Sequence, residues 1–183
     1  MASSRASQTR QEILDKALDL ASVEGLEGIT IGRLADAIFM SKSGLFAHFG
    51  SKEELQIAVV DAARDVFVRE VLAGAAEKPA GLERLADMAT AWLAYVEKGV
   101  FRGGCFFAAA GHDFSGRPGA VRDVIARHTR RFIETLEEQS QLAARLAELR
   151  PDVQPLSLAF AIHGLALEAN LRRELLDDDD AFK

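Results

Sequence analysis

The side chains able to do chemistry in this chain concentrate in one run, Ser41-Lys42-Ser43-Gly44-Leu45-Phe46-Ala47-His48-Phe49-Gly50-Ser51-Lys52. Its hydroxyls, ammoniums and imidazole are partners for phosphate oxygens and base edges. Leu45 and Phe49 stand four apart and point the same way, which leaves Lys42, Ser43, Ala47 and His48 on other faces. A short helix that buries one narrow face and offers small, polar and basic groups elsewhere suits the second helix of a helix-turn-helix, whose first residues meet base edges in the major groove. Lys42, Ser43 and Gly44 are therefore candidates for base or nearby phosphate contact. His48 is a candidate for either, with an exposed bystander as the bland alternative.

Elsewhere the chemistry is sparse. The histidines at 48, 112, 128 and 163 share no metal-ligand spacing. Cys105 and His112 make a nucleophile–base pair only on paper, because nothing local supplies a third, orienting group. No metal, no cofactor and no enzymatic activity is expected. Cys105 itself has two readings. Beside Gly103-Gly104 it is a redox sensor if its pKa is lowered; packed among phenylalanines it is a small hydrophobe.

The elements that must position the polar run are legible around it. Thr30 is an N-cap, and Ile31, Leu34, Ala35 and Ile38 follow at helical spacing. Ser41 is a second N-cap. Ser51 with Glu54 forms a capping box that opens a long helix, so Lys52 sits where backbone N–H groups and the helix dipole favour an anion. Thr30 and Lys52 are thus expected to hold phosphates. Upstream, Thr9 with Glu12 predicts the start of a first helix, Ile13, Leu14, Ala17, Leu18 and Ala21 its buried stripe, and Gly25 its end. Residues 1–8 read as a polar, disordered tail, and Arg5 and Arg10 near it are either solvated or a basic arm reaching the minor groove or a phosphate.

The run SKSGLFAHFGSKEEL, with the upstream Thr30 and Leu34-Ala35, resembles the signature of TetR/AcrR-type transcriptional regulators. The likeness covers roughly the first third of the chain closely. Gly103-Gly104-Cys105-Phe106-Phe107 resembles, more weakly, the C-terminal domain of one subgroup of that family. The resemblance implies an all-α fold, with a DNA-binding domain over about residues 8–66 (helix-turn-helix about 30–49) and a ligand-binding, dimerising domain over 67–183. It implies DNA contact from Thr30, Arg33, Lys42, Ser43, Gly44, Phe46, Ala47, His48 and Lys52. Two positions depart from the family pattern. Phe39 stands where the turn usually carries glycine, so the turn is either built differently or strained to add core contact. Phe46 stands where a tyrosine often offers its hydroxyl to a phosphate.

Beyond the head, a helix over about 52–72 carries two apolar stripes and reads as a lever. A helix follows over about 79–99, then a short one over 105–110, a loop over 111–119, and a long helix over 120–149. The last helix, with Pro155 near its first position, is apolar nearly all round over 156–171 and needs a second cover. A second copy is the simplest candidate, and by resemblance the helices at about 120–149 and 155–175 form a homodimer. Trp92, Tyr95, Phe101, Cys105, Phe106, Phe107, Phe114, His128, Phe132 and His163 are candidate walls and handles of a small-molecule pocket, with ordinary core as the alternative at each position.

Composition bounds the partners. Net charge is −6, yet residues 1–52 hold six Lys/Arg and six Asp/Glu, so the whole deficit lies in the remainder. An acidic body with a neutral head fits a specific reader of a double-stranded operator, with few phosphate contacts per subunit. The lone Cys105, the absence of an apolar membrane-length run and a polar start point to a cytoplasmic protein. The function expected is a ligand-responsive repressor that binds a palindromic operator as a dimer. The alternatives are a dimeric scaffold with a degenerate head, or a redox switch acting through Cys105.

Overall fold

The structure, a computed structural model, describes residues 2–182, with the side chains of residues 2–6 and 179 outside that description. The suggested reach of Arg5 to DNA therefore lies outside the described residues. All regular structure among the described residues is helical.

Helix α1 (Ala2–Glu24) begins earlier than the Thr9 box suggested. The polar start carries no glycine or proline, and side-chain pairs four apart support it, Gln8 to Glu12 at 3.2 Å and Gln11 to Asp15 at 2.9 Å. Thr9 is an interior helical residue, and α1 ends at Gly25, which has φ of 80°. Helices α2 (Ile31–Ala37) and α3 (Lys42–Phe49) follow. Thr30 Oγ1 accepts the Arg33 N–H at 3.1 Å, and Ser41 Oγ accepts the Gly44 N–H at 3.1 Å. Ser51 Oγ accepts the Glu54 N–H at 3.0 Å and opens α4 (Lys52–Phe67).

The corner between α2 and α3 corrects one expectation. Phe39 does sit in the left-handed region, at φ of 55°, but it is 98% exposed and adds no core contact. The strain is uncompensated. Phe39→Gly is expected to stabilise the chain by about 1 kcal/mol, since the left-handed cost of an L-residue outweighs the extra freedom glycine brings to the unfolded chain. Thermal unfolding should show a rise of roughly 2–4 °C. A lower melting temperature for the variant would show that Phe39 has a stabilising contact.

The chain divides into two compact units, Met1–Arg64 with Phe101–Ala126, and Asp65–Val100 with Arg127–Lys183. Beside the expected division at 66/67, the compact units break at 64/65, and residues 101–126 pack with the head. The first unit buries Ile13, Leu14, Leu18, Leu34, Leu45, Phe49, Leu55 and Val59 from its N-terminal part, and Phe106, Phe114, Val121 and Ile125 from the later segment. Helix α7 (Phe106–Phe114) lies against α1. It continues through Phe114, so the loop after it is shorter than the expected 111–119. The loop before α7 runs so close to α1 that a Cβ on Gly103 would lie 1.6 Å from the Ser22 carbonyl oxygen. Arg102 clamps the same loop, donating from Nε and Nη2 to the two Asp19 carboxylate oxygens at 2.7 and 2.8 Å.

In the second unit, α4 passes into a π-helical turn (Val68–Leu72) and a short α5 (Ala73–Ala76). Helical structure thus continues to Ala76, beyond the end expected near 72. Helix α6 (Leu82–Glu97) starts later than Pro79. Its first amides are capped from elsewhere in the unit, Gly81 N–H donating to Gln139 Oε1 at 3.0 Å and Leu82 N–H to Glu148 Oε2 at 2.8 Å. Helix α8 (Ala120–Arg145) stops short of Leu149, with Ala147 at φ of 57° just beyond it. Helix α9 (Pro155–Leu176) buries only Ala159, Ala166 and Ala169, while Leu156, Phe160, Leu165, Leu171, Leu175 and Leu176 are exposed.

Candidate nucleic-acid interface

Helix α3 is held from below. Leu45 and Phe49 are buried, and the Arg10 guanidinium of α1 lies over the Phe49 ring, 4.7 Å from its centroid. Arg10 is thereby engaged in holding the motif together. On the opposite side Lys42, Ser43, Phe46 and Ala47 are all exposed, with Gly44 and His48 half-buried beside them. The His48 ring tilts against Phe49 at 6.3 Å. Ser41 and Ser43 share a hydroxyl–hydroxyl contact of 3.2 Å at the helix start. The Lys42 Nζ lies over the beginning of α2, 3.5 Å from where a Cβ on Gly32 would stand. A short helix with cationic, hydroxyl and apolar groups on one open face can hydrogen-bond base edges and meet a thymine methyl.

The flanking cations are tied to carboxylates. Arg33 grips Glu24 with two nitrogens, one donating to Oε2 at 3.1 Å. Lys52 Nζ donates to the Glu27 backbone oxygen at 2.9 Å and to Glu27 Oε1 at 3.2 Å. An ammonium has three N–H bonds, and these two contacts use two of them. This hydrogen bond from Lys52 is the main reason that Glu27 titrates below the usual carboxylate range. Sequence reading missed Glu27 as a partner of Lys52, because the pairing is tertiary and leaves no local pattern.

The candidate pocket residues fall into two groups. Trp92, Tyr95, Phe132 and His163 come together in the second unit, joined by Phe67, which was read only as part of a stripe. Phe67 meets Phe132 edge-on at 4.9 Å, Tyr95 at 5.6 Å and Trp92 at 6.1 Å, while Trp92 lies 5.0 Å from Phe132 and 5.4 Å from His163. Among the described residues, the buried Trp92 indole N–H has no acceptor and the buried Ser140 hydroxyl has no hydrogen-bond partner. Burial lowers the pKa of His163, so its imidazole is neutral at neutral pH. Phe101, Cys105, Phe106, Phe107 and Phe114 belong to the first unit, where Phe101, Phe106 and Phe107 pack ring to ring. His128 is half-buried in α8. Cys105 is 1% exposed, which gives an oxidant no open path to its sulfur and favours the small-hydrophobe reading.

Residues 13–59 match the family described as bacterial regulatory proteins, tetR family, and residues 81–183 match the tetracyclin repressor-like C-terminal domain. The chain belongs to the TetR family. Among relatives of this TetR-family chain, the regulator TcmR of Streptomyces glaucescens is 28% identical over 146 residues, covering 78% of the chain and 58% of TcmR. The repressor AcnR of Corynebacterium glutamicum is 42% identical over 65 residues, 34% of the chain and 35% of AcnR. The chain thus spans little more than half the length of the first of these relatives and about a third of the second. In three dimensions it matches a TetR transcriptional regulator from Chloroflexus aurantiacus J-10-FL with a TM-score of 0.87 at 22% identity, covering 97% of this chain and 90% of that one. It also matches AibR, solved with isovaleryl coenzyme A and operator DNA, with a TM-score of 0.74 at 27% identity, covering 88% and 85%. No helix of the TetR-family chain is long and apolar enough to cross a membrane among the described residues.

Proposed function

We propose that this TetR-family chain is a ligand-responsive transcriptional repressor that reads a palindromic operator as a homodimer in the bacterial cytoplasm. The observation that carries the reading is the open face of α3. Lys42, Ser43, Phe46 and Ala47 are exposed together, on a helix whose other side is fixed by Leu45, Phe49 and Arg10. Lys42, Ser43 and Gly44 act at base edges and nearby phosphates, and Thr30 and Lys52 hold the backbone. The exposed apolar residues of α9 supply the dimer contact.

The effector site is the Trp92 cluster. Its walls are aromatic, its one imidazole is neutral, and its buried indole donor needs an acceptor. That combination favours an uncharged, largely apolar molecule with a carbonyl or ether oxygen. Displacing Phe67 moves a residue of α4, the helix that starts at Lys52, and so reaches the head through a single element. Operator and effector then weaken each other by the same factor.

Selection from a random duplex library tests the reading. Enrichment of a palindrome is expected, with affinity that falls steeply as salt rises. No enrichment at low and moderate salt would move the chain to the scaffold reading.

A further inference from the structure

Two cations share one carboxylate at the edge of the head. Glu27 lies in the link between α1 and α2 and accepts from Lys52 Nζ at 3.2 Å on Oε1. Arg117 Nη1, in the loop between α7 and α8, approaches the same oxygen at 3.5 Å. Gln56 of α4 donates to the other oxygen at 3.3 Å and to the Leu26 carbonyl at 2.9 Å, which fixes the carboxylate's orientation. All three charged side chains are about half exposed, so none is locked and their pairing can redistribute. With both cations attached, the trio carries one net positive charge. Without Arg117, Lys52 and Glu27 neutralise each other.

We propose that Arg117 is a positioning residue for DNA binding: by drawing on the Glu27 carboxylate it leaves the Lys52 ammonium available to a backbone phosphate. The inference rests on the DNA-reading function proposed above. It makes Arg117, a residue of the sequence matched to the C-terminal domain, a control on a phosphate contact of the head without touching DNA itself. Any change that draws the 115–119 loop away from Glu27 then costs the head one phosphate contact.

The test is a double-mutant cycle read out as the slope of log affinity against log salt, on both the selected operator and a mixed-sequence duplex. Arg117→Gln is expected to reduce the slope by about one per head on both duplexes, the signature of one lost phosphate contact. Arg117→Lys, which keeps the charge, should retain the wild-type slope. Glu27→Gln removes the carboxylate charge that competes for Lys52, leaves the bond to the residue-27 backbone oxygen in place, and should match or exceed wild type. In that background Arg117→Gln should have no further effect.

An equal loss from Arg117→Gln in both backgrounds would overturn the proposal and make Arg117 a direct or long-range contributor. So would an unchanged slope in the wild-type background, or a loss from Arg117→Lys. Failure of the wild-type chain to bind either duplex in a salt-dependent way is a different result. It removes the DNA-reading function itself, and this inference with it.

Discussion

Gly103→Ala is expected to destabilise the first unit by about 3 kcal/mol, the upper end of what one inserted methyl costs in a packed interior. The reason is the identity of the obstacle. The new Cβ would lie 1.6 Å from the Ser22 carbonyl oxygen and 2.5 Å from its carbon, both backbone atoms within α1. A side chain could swing aside, but a helical carbonyl can withdraw only if the helix moves. The loop cannot easily retreat either, because the neighbouring Arg102 is clamped on Asp19. A fall in melting temperature of roughly 6–12 °C should follow. Gly116→Ala is the control, since nothing lies within 4 Å of a Cβ there. Equal stability of Gly103→Ala and Gly116→Ala would mean that the loop does not run against α1.

On the homodimer proposed above, Phe160→Asp is expected to abolish dimerisation at micromolar concentration. Phe160 is 81% exposed, and on α9 it shares a stripe with Leu156, Gly164, Leu171 and Leu175. Exposed apolar surface of this kind is what the homodimer proposed above would cover. In a twofold dimer each substitution counts twice. Two truncated anchors of about 2 kcal/mol each weaken association roughly a thousandfold, before the added charges repel. Sedimentation velocity across a dilution series would report it. A variant that stays dimeric would remove α9 from the interface. The head should remain folded, and operator affinity should drop because a single α3 reads only one half-site.

The local features of the head were written plainly in the sequence. Thr30, Ser41 and Ser51 each cap the helix that follows them, and Leu45 and Phe49 are buried as their spacing requires. Caps and stripes depend on neighbours three or four residues away, so a single sequence carries them. What it could not carry was pairing over distance. The Glu27–Lys52–Arg117 trio joins three separate elements, and nothing near any member announces the others. The aromatic candidates show the same limit. Composition put ten residues in one set, whereas folding placed them in two units according to which strip of chain each helix met. Phe39 failed for a different reason. A left-handed corner could be inferred, but whether its ring turns inward is decided by surroundings that the local sequence does not contain.

That the first unit is assembled from two separated stretches also has a temporal meaning. A nascent chain emerges from its N-terminus, so the reading helix is made early, yet Phe106, Phe114 and Ile125, which complete its hydrophobic support, are translated only after Asp65–Val100. The second unit waits in turn for the stretch from Arg127 onward. Neither unit can close while the ribosome is still within the other's insert. The units therefore complete in order, the first once Ala126 has been translated and the second only with the stretch after it, and a prematurely terminated chain ending before Phe101 would carry α2 and α3 without Phe106, Phe114 and Ile125 of their own unit.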